Sequence, residues 1–260
     1  SYATYIKHRL NGFDGDSPRR TPKDLEEYPA FSKRASSSGG VPTYSRPQCV
    51  GPISVKDLKP LEVDLQNFKD ALSVSEATDA FMNAASPGVI AQFQPNQHYP
   101  DHSSYLYALA DAMKVEYEGI AEAGLVIQID SPDLALGRHV LFKDKSDEEF
   151  VAMAELHIEA LNHALQNIPA EQLRLHVCWG NYQGPHHCDI EMKKILPAVL
   201  KAKPMALSFE GANPRHSHEW SVFRDAKIPE NKVLIPGVLD STTNFVEHPE
   251  LVAERICRFA

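Results

Sequence analysis

From about residue 49 onward, short apolar runs alternate with longer amphipathic stretches. The short runs predict β-strands at 49–53, 88–92, 124–130, 173–178, 205–210 and 233–239. The longer stretches predict helices over 102–123, 146–167 and 189–202. Strands that alternate with helices are typical of βαβ units, so the pattern predicts a parallel sheet covered by helices.

Local signals refine two of these helices. Ser146 followed by Glu149 has the spacing of a capping box and starts the 146–167 helix. Pro197 lies inside the 189–202 helix, and proline lacks the backbone N–H that a helix interior uses. We therefore expect the 189–202 helix to be kinked or broken at Pro197.

The element pattern favours an α/β fold of the (β/α)8 TIM-barrel type. The chain has 260 residues, close to the roughly 250 that such a barrel needs. Six predicted strands are too few for eight, and an amphipathic stretch beginning near Pro249 continues to Ala260, so we expect a barrel that is incomplete at both ends. An open doubly wound sheet is the alternative, but its usual Gly-rich turn after the first strand is absent.

Residues 14–48 have the composition of loops rather than of regular elements. They contain five prolines and the run Ser36-Ser37-Ser38-Gly39-Gly40. The domain prediction is therefore an N-terminal helix and a Pro/Ser/Gly-rich excursion over 1–48, followed by one barrel core over 49–260.

Composition and charge narrow the class of protein. Apolar residues make up 43% and charged residues 23% of the chain, and no stretch of about 18 apolar residues predicts a membrane span. The formal net charge of -9 argues against nucleic acid as a partner, because such partners select clustered Lys and Arg. Four scattered cysteines do not form a disulfide framework, so we expect a cytoplasmic protein; a homo-oligomer is compatible with the sequence.

Three predicted strands end in groups that can do chemistry. Asp130 ends the 124–130 strand, His176 and Cys178 end the next one, and Glu210 ends the 205–210 strand. In a parallel barrel these ends meet at one mouth, where active sites lie. His176 and Cys178 are two residues apart and thus face the same side of a strand. Together with the Glu210 carboxylate they form a donor set that predicts zinc.

Other interpretations of these residues remain open. His176 and Cys178 could be a hydrogen-bonded core histidine beside a buried free cysteine. Glu210 could be an ordinary carboxylate. A third possibility is a closed structural zinc held by His176, Cys178, Cys188 and one of the histidines at 186 and 187, in a barrel without this chemistry.

Four strand-end motifs carry a resemblance to a known family. They are QIDSP (128–132), HVCWGN (176–181), SFEGANPR (208–215) and PGVLDS (236–241). In this order they resemble the C-terminal catalytic barrel of cobalamin-independent methionine synthase, and they are more similar still to its short single-barrel relatives, which include epoxyalkane:coenzyme M transferase. The resemblance covers most of the chain from about residue 49.

The resemblance implies a zinc site and a substrate site. In the family, zinc is held by the H-x-C pair, by a Glu on the following strand and by a Cys on the last strand; the first three match His176, Cys178 and Glu210. The fourth ligand is expected beyond Ala260, because Cys257 lies in a predicted helix. Asp130 matches the acid of the family's IDEP motif, which helps to recognise the amino-acid substrate, although Ser131 replaces the neighbouring Glu.

These expectations define a reaction class. A free thiol has a pKa of about 8.5, and a metal-coordinated thiol is deprotonated. The chain is therefore predicted to be a methyltransferase or alkyltransferase that transfers a carbon group to a small thiol, like the methyltetrahydropteroyltriglutamate–homocysteine enzymes. Asp130, Ser131, Asn83 and Asp240 are the candidates to bind and orient substrate. A zinc hydrolase would need an H-x-H pair on an early strand, and the early predicted strands carry none.

Overall fold

A computed structural model describes residues 5–18, 20–37 and 46–260, with the backbone alone for 35–37. Most of the Ser/Gly-rich run at 36–40, together with Pro42, lies outside the described residues. The strands are β1 (Leu10–Asp14), β2 (Gln48–Val55), β3 (Phe81–Ala85), β4 (Val126–Asp130), β5 (Leu173–Val177), β6 (Ala206–Glu210) and β7 (Val233–Gly237). The α-helices are α1 (Ile6–Arg9), α2 (Lys23–Glu27), α3 (Pro29–Ser37), α4 (Lys59–Ser73), α5 (Pro87–Phe93), α6 (His102–Glu122), α7 (Gly137–Val140), α8 (Asp147–Ala164), α9 (Met192–Val199), α10 (Trp220–Asp225) and α11 (Pro249–Phe259).

The central sheet has barrel topology. Its five strands are all parallel and follow the order β3-β4-β5-β6-β7, so each strand pairs with its neighbours in sequence. A doubly wound sheet reverses its strand order at a switch point, and none of these five strands does so. The described strands therefore form an open section of a (β/α) barrel, with five of the eight strands of a closed one.

One face of this sheet packs under helices and the other is polar. Along β5, Leu173, Leu175 and Val177 are buried in the core, whereas Arg174 and His176 between them are partly exposed. Side chains alternate across a strand, so the second set faces what would be the barrel interior. The same alternation along β4 and β6 puts Asp130 and Glu210 on that inner face.

Helices α6, α8 and α9 cover the outer face. Helix α8 lies between the other two and packs against both. The capping box predicted at its start is confirmed, because the Ser146 hydroxyl accepts from the Glu149 N–H and the Glu149 carboxylate accepts from the Ser146 N–H. No helix in the described part of the chain is both long and apolar enough to cross a bilayer.

Two predicted strands were placed wrongly. Residues 88–92 lie in helix α5, whose N-cap is Ser86 and whose first residue is Pro87; the strand lies just before it, at Phe81–Ala85. A short apolar run cannot distinguish a buried helix from a strand, and the Ser-Pro start signal decided the outcome. Residues 49–53 do form a strand, but it lies in β2, outside the barrel sheet.

The predicted break at Pro197 is absent. Helix α9 runs through Pro197 to Val199 and begins at Met192, later than the sequence pattern indicated. Proline removes one helical hydrogen bond, but only two helical residues follow it. Burial of Ile195, Leu196 and Val199 against the core holds the last turn in place.

The N-terminal segment pairs with the chain across the predicted domain boundary. Strands β1 and β2 form an antiparallel pair, and the boundary at residue 48/49 falls inside β2. Gly12 lies at the irregular point of this pair with φ of 94°, and a Cβ there would meet the Gly51 carbonyl oxygen at 2.8 Å. An ion pair of 2.6 Å between Arg9 and Glu116 ties the segment to α6.

Candidate active site

The strand register brings the predicted site residues to one edge of the sheet. Asp130 on β4 is level with His176 on β5, and Ala85 on β3 is level with Asp130. Val177 pairs with Phe209, so the next residue, Cys178, is level with Glu210 on β6. The carboxyl ends of parallel strands thus place His176 and Asp130 in one layer and Cys178 and Glu210 in the next.

Asp130 is the centre of a hydrogen-bond network on this edge. Its Oδ1 accepts from Gln128 Nε2 at 2.9 Å and lies 2.9 Å from His176 Nδ1, while its Oδ2 accepts from Asn83 Nδ2 at 3.0 Å. The Asp130 side chain is 8% exposed. A buried carboxylate with three partners is held in one orientation, so it in turn fixes the ring of His176.

The contact with Asp130 determines which histidine nitrogen is available. Nδ1 of His176 faces the carboxylate, which leaves Nε2 directed away from Asp130. The His176 side chain is 34% exposed, so Nε2 can be reached from the barrel mouth. Metal-binding histidines commonly hold a carboxylate on one nitrogen and the ion on the other, and His176 has this arrangement.

Cys178 follows directly after β5. Its Sγ accepts from the Gly180 N–H at 3.2 Å, in a turn where Gly180 has φ of 102°. Burial raises the pKa of the Cys178 thiol; the Gly180 hydrogen bond opposes this rise, and the charges of Glu210 and Asp130 add to it. The thiol is therefore neutral at pH 7 in the absence of a nearby cation.

Glu210 caps the loop that follows β6. Its Oε1 accepts from the N–H groups of Ala212 at 2.7 Å and Asn213 at 3.2 Å. Among the described residues, two groups of three side chains have their possible metal ligands within 4.8 Å of one another. His176, Cys178 and Glu210 do not form such a group. The donor types fit zinc, but this structure does not gather the three ligand atoms around one point.

The other predicted substrate residues lie on the same edge in different settings. Asn83 is exposed and donates to Asp130, whereas Ser131 is 1% exposed and its N–H donates to the His176 carbonyl. The Ser131 hydroxyl has no hydrogen-bond partner among the described residues. Asp240 lies in the loop after β7, where its Oδ1 accepts from the N–H and the hydroxyl of Thr242.

A half-open cavity of about 150 Å³ adjoins the Cys178 turn. Its lining includes Gly180, Tyr182, Arg20 and Gln92. The Arg20 Nη1 and both side-chain polar atoms of Gln92 are buried without a hydrogen-bond partner in the described structure. Such unsatisfied donors and acceptors suit a polar ligand.

A buried cluster of carboxylates and imidazoles near this edge was not predicted from the sequence. The carboxylate of Asp189 lies within hydrogen-bond distance of His186 at 3.0 Å and His216 at 2.9 Å, and His216 also contacts Glu219 at 2.8 Å. Burial alone would lower the pKa of His216, but the two carboxylates outweigh it and raise the pKa to about 9. His216 is therefore buried beside two carboxylates that favour its protonated form.

The same cluster reaches the N-terminal segment. His139 is fully buried between Asp24, at 3.2 Å from Nδ1, and Asp189, at 3.4 Å from Nε2. Asp24 and Asp189 are 165 positions apart, counted as 189 minus 24, so no local spacing indicated their contact. The only available signal was the density of His and Asp in residues 186–189.

Cys188 belongs to a different cluster of side chains from Cys178. Its Sγ is 4.0 Å from Glu27 Oε1, and its ligand atom lies within 4.8 Å of those of Asp24 and His187. No group of three ligand residues contains both Cys178 and Cys188 in the described part of the chain. Cys188 therefore lies in a cluster anchored by helix α2.

Known proteins that resemble this chain are methionine synthases. The methionine synthase of Saccharolobus solfataricus is 30% identical over 173 residues, which cover 65% of this chain and 47% of that protein. That of Sulfurisphaera tokodaii is 30% identical over 144 residues, which cover 55% and 37%. No family model matches the chain.

A solved structure extends the similarity to the whole chain. A B12-independent methionine synthase from Shewanella sp. W3-18-1, in complex with selenomethionine, superposes with a TM-score of 0.67 at 19% identity, over 99% of this chain and 67% of that one. This similarity shows the fold. The chain spans less than half the length of the curated relatives it matches. The chain is thus similar in sequence to methionine synthases and shares its barrel fold with a B12-independent one.

Proposed function

We propose that this chain transfers a methyl or other alkyl group to the sulfur of a small thiol, with zinc held by His176, Cys178 and Glu210. The observation that carries the proposal is the contact between His176 Nδ1 and the buried carboxylate of Asp130, beside Cys178 at the carboxyl edge of the sheet. This arrangement presents one imidazole nitrogen and one sulfur to the barrel mouth. The relatives' name, methionine synthase, supports homocysteine as the thiol.

Zinc bound at these residues would supply the positive charge that ionises a substrate thiol at neutral pH. The chain's residues have separate tasks around it. Asp130 holds His176 in one tautomer, and the Gly180 N–H stabilises negative charge on Cys178. Glu210, whose Oε1 accepts from the N–H groups of Ala212 and Asn213, would turn a carboxylate oxygen toward the ion.

Substrate orientation falls to the polar residues of the same edge. Asn83 is exposed and fixed by Asp130, and Asp240 is fixed by Thr242, so both can present a polar group to a ligand with little loss of side-chain entropy. Ser131 has an unsatisfied hydroxyl that a polar substrate group could partner. The substrate sulfur then displaces the leaving group from the alkyl carbon, and the product is a thioether.

The experiment is a transfer assay on the zinc-loaded chain. Purified protein is incubated with homocysteine and a panel of methyl donors, and methionine is measured by mass spectrometry. X-ray absorption at the zinc edge is recorded on the same preparation with and without the thiol. We expect a new sulfur neighbour on addition of thiol; an unchanged shell together with no methionine would reject the proposal in favour of a structural ion.

A further inference from the structure

We propose that Asp24, His187 and Cys188, with Glu27, form a binding site for a divalent transition-metal ion such as zinc, separate from His176 and Cys178. The ligand atoms of the first three lie within 4.8 Å of one another. Glu27 adds a second carboxylate, with Oε2 at 2.7 Å from His187 Nε2 and Oε1 at 4.0 Å from Cys188 Sγ. Imidazole, thiol and carboxylate together are the donor types of zinc sites.

The separations are close to those of a formed site. Oxygen and sulfur ligands on a tetrahedral zinc lie roughly 3.6 Å apart, given bond lengths of about 2.1 and 2.3 Å. Glu27 and Cys188 therefore need to approach by a few tenths of an ångström. Glu27 can serve in either of two ways, as a fourth ligand or as the carboxylate that orients His187 from its other nitrogen.

Asp24 has unused capacity for a ligand. It is fully buried; its Oδ2 accepts from the Tyr182 hydroxyl at 3.3 Å, and its Oδ1 lies 3.2 Å from His139 Nδ1 without the geometry of a hydrogen bond among the described residues. A buried carboxylate with an unsatisfied oxygen is stabilised by a bound cation.

The charge around Cys188 also favours a cation. The Cys188 Sγ lies 4.0 Å from Glu27 Oε1 and within 4.8 Å of a carboxylate oxygen of Asp24. Two carboxylates thus surround one sulfur, and a divalent ion would relieve their repulsion with a thiolate. His187 and Glu27 have side chains 39% and 48% exposed, so an ion can enter from solvent.

Such an ion would join two distant parts of the chain. Asp24 and Glu27 belong to helix α2, whereas His187 and Cys188 belong to the loop after β5, which also contains Gly180 and Tyr182 of the cavity beside Cys178. Binding would restrain both segments, because the ion closes a loop of about 160 residues.

The test uses Co²⁺ as a spectroscopic probe on the full chain. Cys178→Ser protein is freed of metal and titrated with Co²⁺, and thiolate-to-cobalt charge-transfer absorption and bound metal per chain are recorded. We expect one equivalent with a thiolate band. Adding Cys188→Ser should remove the band and lower affinity at least about 10 to 100-fold. Adding Cys257→Ser should change neither, because Cys257 is an exposed free cysteine on α11.

Circular dichroism of each variant shows whether the fold is retained, and Asp24→Asn in the same background provides a second ligand change. A thiolate band that survives Cys188→Ser would overturn the site, as would the absence of any bound Co²⁺ in Cys178→Ser protein that is folded. Neither result bears on zinc at His176 and Cys178, since that site is already disabled in the test protein.

Discussion

His176 Nδ1 lies 2.9 Å from Oδ1 of the buried Asp130, across two neighbouring strands at the same level of the sheet. The contact commits one ring nitrogen to the protein and leaves the other for a ligand. It also gives a reason for the aspartate at the end of β4. A parallel strand buried on both faces usually carries an apolar residue at such a position. In the proposed site, Asp130 would act on the metal through His176.

The first prediction concerns Asp130. Asp130→Asn should weaken zinc binding by about 10 to 100-fold, because an amide neither fixes the tautomer of His176 nor raises its basicity as a carboxylate does. Asn83→Ala is the comparison: it removes one partner of Asp130 but keeps the carboxylate on His176, so it should lower zinc affinity less than Asp130→Asn does. Equal zinc affinity in wild type and Asp130→Asn, measured with a competing chelator, would show that Asp130 does not support a metal ligand.

The second prediction concerns Cys178. Cys178→Ser should lower the zinc affinity of the proposed catalytic site by at least about 10 to 100-fold. That is the typical loss when a residue that only orients a metal ligand is changed, and here the sulfur ligand itself is removed. Transfer activity should fall with the metal. Cys257→Ser is the matched control at an exposed cysteine. Zinc binding and transfer that persist in Cys178→Ser at wild-type levels would remove this residue from the site.

The third prediction concerns Glu210. Glu210→Gln should reduce zinc content modestly and the transfer rate more strongly, because oxygen is the weakest of the three donors and the lost charge would keep the substrate sulfur nucleophilic. Zinc stoichiometry and the rate of thiol alkylation are measured on one preparation. Full zinc with an unchanged rate would mean that Glu210 only caps the loop at Ala212 and Asn213.

The fourth prediction concerns the pH dependence of stability. Against the opposing effect of burial, Asp189 and Glu219 raise the pKa of His216 from its ordinary value of 6.5 to about 9. A histidine whose pKa is higher in the folded than in the unfolded state stabilises the fold fully when the pH lies below its pKa in the unfolded state. This stabilisation is lost as the pH rises through its pKa in the folded state. The free energy of unfolding should therefore fall between pH 6.5 and 9, by on the order of 3 kcal/mol.

Denaturant titrations of wild type and variants measure this effect. They are carried out at about pH 6 and above about pH 9, on either side of the range in which His216 loses its proton. His216→Gln should be less stable at the lower pH and should show a smaller difference between the two. His163→Gln is the control, because its side chain is 40% exposed and its contact with Asp111 is screened by solvent. Parallel pH profiles in all three proteins would contradict the role given to His216.

The sequence by itself determined the class of fold and the strands that carry the proposed site. Strands β4 to β7, helices α6 and α8 and the Ser146–Glu149 capping box were predicted within a few residues, because periodicity and caps are local properties. The placement of Asp130, His176, Cys178 and Glu210 at one edge also followed, since parallel strands align their carboxyl ends. The motifs at those ends indicated the similarity to methionine synthases, which the sequence relatives share.

Only the tertiary structure decided which side chains meet. The strand at Phe81–Ala85 was missed because the apolar run after it, 88–92, forms a helix started by Ser86 and Pro87. The pairing of Asp130 with His176 depends on strand register, which sets side-chain contacts across 46 positions. The cluster of Asp24, His139, Asp189 and His216 joins segments up to 192 positions apart, counted as 216 minus 24, and chain folding alone brings such residues together.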